Sequence, residues 1–429
     1  MFDLIVRQGI VDGRAVDVGI TDGLIAAVAP ELSGARHELY AGRQYLLPGG
    51  LDPHVHFNEP GRTHWEGLET GSAALAAGGY TAFFDMPLNS SPPVVDGAAF
   101  DAKVAAARAA SCVDFGLWGG LVPGRLDRLE ELAERGVIGL KAFMSNSGIE
   151  EFASVDDVTL YEGMAIAARL GLIVAVHAEN DALTARSFGP GARDWFASRP
   201  VVAELEAISR AVLYASETGC ALHVVHVSSG RGVALIAAAR AAGVDVTCET
   251  CPHYLFLTQD DVETLGAIAK CAPPVRDAPE QLELWRRLRA GEVEMVTSDH
   301  SPSEPALKEG EFGSAWGGIA SCQSTRELLL KGELDPGFVA ELTATAPAER
   351  FGIARKGRIA PGYDADLALI DPHAPYRLAA EDLRYRHRIS PWIGRALHGR
   401  VVRTLLRGAD PAPGAGRLLT PEPERIPVT

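Results

Sequence analysis

No run of about 18 consecutive apolar residues occurs in the 429-residue chain, so a membrane-spanning helix is not expected. The opening Met1-Phe2-Asp3-Leu4-Ile5-Val6-Arg7 lacks a basic segment followed by a long apolar one, so no signal peptide is expected. Positive charge is in short supply. Forty Lys and Arg stand against 56 Asp and Glu, a net charge of -16 with His neutral, and such a chain gains nothing from counterion release on DNA or RNA. Cysteine is sparse too: six residues (Cys112, Cys220, Cys248, Cys251, Cys271, Cys322) are scattered, as suits reduced thiols in a cytoplasmic protein. Cys248-x-x-Cys251 has no second pair, which favours a structural role over a zinc knuckle or redox pair. No G-x-S-x-G elbow and no Walker-type loop is found, removing serine-hydrolase and phosphate-loop chemistry.

What is present reads as an α/β enzyme. The composition, 47% hydrophobic and 22% charged, is that of a globular protein, and the length accommodates a barrel of roughly 250 residues plus a smaller unit. Short alternating runs broken by Asp12-Gly13 and Asp22-Gly23 predict β-hairpins near the start. A related pattern returns at residues 357–371 and 400–406. One small β-sandwich domain is therefore expected from residues 1–46 and 356–409, with a Pro-rich extended arm at 410–429. Between them, residues 47–355 alternate apolar strand-like runs (45–55, 80–86, 113–118, 137–143, 172–176, 221–227, 244–248, 293–296) with helical stretches (66–77, 98–109, 203–217, 232–241). Thr63-x-x-Glu66 reads as a capping box opening the first helix, and Gly78-Gly79 as its stop. Eight strands alternating with helices predict a (β/α)8 barrel, whose active site lies at the C-terminal strand mouths.

Six polar residues fall at those mouths: His54, His56, Lys141, His177, His226 and Asp299. In His54-Val55-His56 the period of two turns both imidazoles to one face. His177 and His226 end apolar runs, whereas His223 is odd-spaced from His226 and faces the other way. Asp299 follows the run at 293–296; the alternative for it is a helix N-cap. Imidazole and carboxylate suit zinc, cobalt, manganese or iron. Lys141 fits differently. Its ammonium has no lone pair, and an arbitrary lysine there snorkels to solvent. Burial would lower its pKa, and the neutral amine can then react with carbon dioxide to give a carbamate able to bridge two metals.

Residues 49–61 (GGLDPHVHFNEPG) resemble the amidohydrolase superfamily, specifically its cyclic amidases: dihydroorotases, hydantoinases and allantoinases. The resemblance extends over nearly the whole chain through 139–143 (GLKAF), 176–180 (VHAEN), 226–229 (HVSS), 251–254 (CPHY), 298–302 (SDHSP) and the closing segment 357–366. It implies two divalent metals, zinc first among the candidates. His54 and His56 would hold the more buried ion and His177 and His226 the other. N6-carboxylated Lys141 would bridge both, while Asp299 would bind the first and move protons in a two-metal hydroxide mechanism. It also implies a homo-oligomer, a tetramer in the family. A non-catalytic scaffold of the same fold, the reading from another class, would have lost ligands; this chain keeps all six.

The ring opened is a finer matter. Dihydroorotases typically have Arg at the position of Asn58 and Asn at that of Ala272, and hydantoinases a Tyr at that of Asn146. What remains, 56–63 (HFNEPGRT), 86–90 (MPLNS), 315–320 (AWGGIA) and 386–395 (RHRISPWIGR), is similar to allantoinases. The implied activity is hydrolysis of (S)-allantoin, a small uncharged cyclic ureide, to allantoate. Hydantoins, dihydropyrimidines and dihydroorotate are the alternative substrates. Asn58, Asn89, Ala272, Trp316 and Gly317 are the candidate substrate contacts; turn chemistry after a strand is the bland reading of the two asparagines.

Overall fold

The computed structural model describes residues 1–186 and 188–422. Strands β1 (Phe2–Val11), β2 (Arg14–Thr21), β3 (Leu24–Ala29), β4 (Ala35–Tyr40) and β5 (Tyr45–Pro48) come first. Both predicted hairpin turns form. Asp12 and Gly13 have φ of 47° and 75°, and Asp22 and Gly23 have 51° and 76°, the left-handed pairs that two-residue hairpins need.

The barrel follows: β6 (Gly50–Val55), β7 (Tyr80–Asp85), β8 (Asp114–Leu117), β9 (Gly119–Gly120), β10 (Leu140–Phe143), β11 (Val174–His177), β12 (Leu222–Val224), β13 (Val246–Thr250) and β14 (Met295–Val296). All neighbouring pairs are parallel, with β6-β7-β8 in one run and β9 to β14 in the other. β8 and β9 are one strand interrupted at Trp118, so eight barrel strands result. The ring closes where Val55 bridges His300 and the His56 N–H donates to the His300 carbonyl at 2.8 Å. These strands are buried along their length, as strands covered on both faces must be.

β15 (Leu367–Asp371), β16 (Tyr376–Arg377), β17 (Ala396–Leu397) and β18 (Arg400–Leu405) end the regular structure. β15 and β18 join the N-terminal strands in one seven-stranded sheet, ordered β18-β15-β5-β1-β2-β3 with β4 also on β1. Its own core includes Val6, Val18, Ile20, Leu46, Leu367 and Leu405. Lys356 clamps this unit to the barrel. Its buried Nζ lies 2.6 Å from Asp114 on β8 and 2.6 and 2.9 Å from Asp366 and Asp364. The three carboxylates are thus already answered by an ammonium.

Two expectations are corrected in detail. The run 45–55 is not one strand: it breaks at Gly49, β5 joining the small sheet and β6 the barrel. A Cβ at Gly49 would lie 2.2 Å from Thr81 Oγ1, so only glycine lets the chain pass there. The Thr63–Glu66 capping box does not form. The helix begins at Leu68, whose N–H is taken by Glu59 at 2.8 Å, while the Glu66 carboxylate accepts the Arg386 N–H at 3.0 Å. The arm runs extended along β8, Phe115 exchanging main-chain bonds with Arg417 and Leu419. Its residues 423–429 lie outside the described residues. Among the described residues no helix is long and apolar enough to cross a membrane, and all six cysteines are free and buried.

Candidate metal centre and cavity

The barrel brings all six candidate ligands to one end. His54 lies on β6 and His56 just past it, Lys141 is on β10, His177 ends β11, and His226 and Asp299 follow β12 and β14. His54 Nε2 and His56 Nε2 lie 3.3 and 3.5 Å from Asp299 Oδ1. His177 Nδ1 and His226 Nε2 are 3.0 Å apart, and the His54 and His226 ring centroids, 5.4 Å apart, join the two groups. His226 and Asp299 have φ of 40° and 41°, a left-handed turn that aims each side chain at the axis at some conformational cost.

A second layer fixes the rings. Glu249 on β13 accepts from Nδ1 of His54, and its other oxygen takes the His223 Nε2 at 3.1 Å. Glu179 takes His177 Nε2 at 2.8 Å and is paired in turn with Arg199. Phe143 stacks on His177 at 4.6 Å. Burial raises the Glu249 carboxyl, but the neighbouring His54 and His223 rings more than reverse this and hold it well below the usual range. His223 is therefore a partner of the second layer and does not face the centre, as its spacing indicated.

Metal fits this set on two counts. With Nδ1–H given to Glu249, His54 Nε2 presents a lone pair to a carboxylate oxygen 3.3 Å away; two acceptors that close call for a cation. Lys141 is fully buried with no hydrogen-bond partner for Nζ, and His226 Nδ1 is likewise unpartnered among the described residues. An orphaned buried donor is costly. Burial pulls the Lys141 ammonium down to about 7, against the upward pull of Glu249 and Asp299. Its charge acts on His177 and His226, and it is itself influenced by Asp299, so it is coupled to members of both groups.

Above these groups opens a cavity of about 270 Å³. Asn89, Ala272, Trp316 and Gly317 line it, as do Asn146, Arg199 and Lys270. Asn58 is not among the lining residues. It is fully buried, with Nδ2 donating to the Pro302 carbonyl at 3.3 Å and Oδ1 unpartnered. Sequence reasoning missed Glu249, Glu179, Arg199 and Lys270. Glu179 could have been sought as a carboxylate next to a histidine-bearing strand end, since ligating histidines usually donate their second N–H to one.

The amidohydrolase family model matches residues 45–409. The chain belongs to the amidohydrolase family. A protein named allantoinase from Rubrobacter xylanophilus is 56% identical, the match covering 99% of each chain. Another of that name from Solibacter usitatus is 54% identical over 95% of this chain and 93% of its own. Among solved structures, the L-hydantoinase (dihydropyrimidinase) of Arthrobacter aurescens superposes with a TM-score of 0.94 at 33% identity, covering 98% of this chain and 100% of that one. The barrel with its β-sandwich is the family architecture, and the His and Asp cluster is a candidate metal site within it.

Proposed function

We propose that this amidohydrolase opens the ring of allantoin by hydrolysing its cyclic amide to give allantoate. The observation that carries the reading is the end-to-end likeness to two proteins named allantoinase, set on a cavity whose lining offers the amides of Asn89 and Asn146 beside the candidate metal ligands. His54, His56 and Asp299 would hold one divalent ion and His177 and His226 another, with carboxylated Lys141 between them. When bound, such ions polarise a carbonyl oxygen and bring the pKa of water from about 15.7 to about 7.

The chain's own residues do the rest. Asp299 takes the proton of the attacking water and returns it to the leaving ring nitrogen, acting as base and then as acid. Its carboxyl is raised by burial but brought to about 2 by His54 and His56, so it begins ionised. The N–H of Gly317, a cavity-lining residue, has no acceptor among the described residues and would serve a ring carbonyl, while Asn89 and Asn146 would serve the ureido arm. Leu88, Phe143 and Trp316 exclude bulk water from the reacting bond. The solved hydantoinase structure supports a second reading, in which a hydantoin or dihydropyrimidine is the ring opened.

Turnover of the metal-loaded protein on allantoin, hydantoin, dihydrouracil and dihydroorotate separates the two. We expect kcat/KM for allantoin to exceed the others by about 100-fold; a preference for either of the next two rings would replace the substrate and keep the chemistry. Asp299→Asn should lower kcat by roughly 10²–10⁴. An unchanged rate would remove Asp299 as the proton carrier.

A further inference from the structure

One wall of the cavity, residues 312–318, is neither helix nor strand. Its main chain is held by two lysines that the proposed chemistry does not use. Lys270, 4% exposed, donates from Nζ to the carbonyls of Phe312 at 2.8 Å, Gly313 at 2.9 Å and Ala315 at 2.7 Å. An ammonium has three donors, so Lys270 is spent on main chain and has none left for a substrate. Lys308 Nζ takes the next two, the carbonyls of Trp316 at 2.9 Å and Gly318 at 2.6 Å. The Gly318 N–H returns to the Lys270 carbonyl at 2.7 Å, and the Trp316 N–H to that of Leu307 at 2.8 Å. Five carbonyls of the wall thus converge on two nitrogens.

Among its cavity-lining residues the wall keeps one main-chain donor free. The Gly317 N–H is unpaired among the described residues, whereas the Trp316 Nε1, also without a partner among them, is buried out of reach of the cavity. Both residues line the cavity. Trp316 is further braced by Trp65, edge-on at 5.0 Å. Burial lowers both ammoniums, Lys308 to about 7 and Lys270 to about 8, and the converging carbonyl dipoles act against that loss.

We infer that Lys270 and Lys308 are positioning residues for substrate selection, fixing the 312–318 wall so that the Gly317 N–H meets a carbonyl acceptor of an uncharged cyclic ureide. The inference rests on the ring-opening reading above. Neither lysine touches the reacting bond or the metal-ligand set, so their loss acts on binding.

The test is Lys308→Met, with Lys308→Arg beside it; arginine keeps the charge but offers a flat fork in place of a compact ammonium. In metal-loaded protein we expect KM for the preferred ring to rise about tenfold while kcat changes less than about threefold. Bound metal per chain should be unchanged, and amide exchange should quicken across 312–318 alone. A wild-type KM with wild-type exchange in that segment overturns the inference. So does a parallel loss of kcat, metal and protection everywhere, which is the mark of general unfolding. Should Lys308→Met not accumulate as folded protein, Lys308→Arg decides by the same KM criterion. If the wild type opens hydantoin but not allantoin, the allantoin reading alone falls, and the lysine comparison is made on hydantoin.

Discussion

Glu249 accepts the Nδ1 proton of His54 from 195 positions away in the chain, and the pairing fixes which imidazole nitrogen faces the centre. The same carboxylate also receives His223 Nε2 at 3.1 Å and the His226 N–H at 3.3 Å, so one side chain orients residues of β6 and of the segment after β12. Glu249→Gln removes the charge and offers an N–H where an acceptor is needed. Metal affinity should fall by about 10–100-fold, with activity returning as metal is added in excess. Metal titration followed by turnover checks this; wild-type affinity would reduce Glu249 to packing.

Lys141 is the buried amine with no partner. If it is carboxylated, Lys141→Ala should lose both bound metal and activity, and a short carboxylic acid supplied with metal should restore part of each by placing a carboxylate in the vacated space. Metal analysis and turnover, with and without the acid, give the answer. Full metal content and normal turnover in the variant would exclude a bridging role.

The six candidate positions were readable because the barrel strands are largely apolar, so a histidine or lysine near a strand end stands out against its own strand. His54, His56, His177, His226 and Asp299 needed only periodicity and the rule that barrel sites lie at C-terminal mouths. Glu249 was hidden because its role depends on a contact across the barrel, which no local pattern encodes. Asn58 shows the converse. It lies two residues past the H-x-H motif, yet its φ of 66° turns it under the Pro302 carbonyl and away from the cavity. Thr63-x-x-Glu66 had the letters of a capping box, but Arg386, 320 positions on, claims the glutamate. Local propensity lost to a tertiary partner in each case. The wall at 312–318 has no periodicity to read, since lysine ammoniums rather than a ladder hold its main chain.

Glu327 supplies a test of stability that leaves the metal centre alone. It sits where the barrel meets the small sheet, accepting the β18 Val401 N–H at 2.9 Å and facing the Tyr376 hydroxyl on β16. Burial raises its carboxyl to about 7, against the lowering effect of Tyr376 and Val401. An acid raised in the fold binds its proton more tightly folded than unfolded. Stability from this group is therefore greatest near its unfolded pKa of about 4.3 and declines as pH climbs to about 7. Glutamine copies the protonated form: its carbonyl accepts from Val401 and its amide donates to Tyr376. Glu327→Gln should match the wild type near pH 4 and exceed it at pH 8 by up to about 3.7 kcal/mol, since each pKa unit is worth about 1.36 kcal/mol. Urea unfolding of both proteins at the two pH values measures the difference. A variant less stable by the same amount at both would mean that Glu327 is ionised in the fold, and that its charge, not its proton, holds β16 and β18 to the barrel.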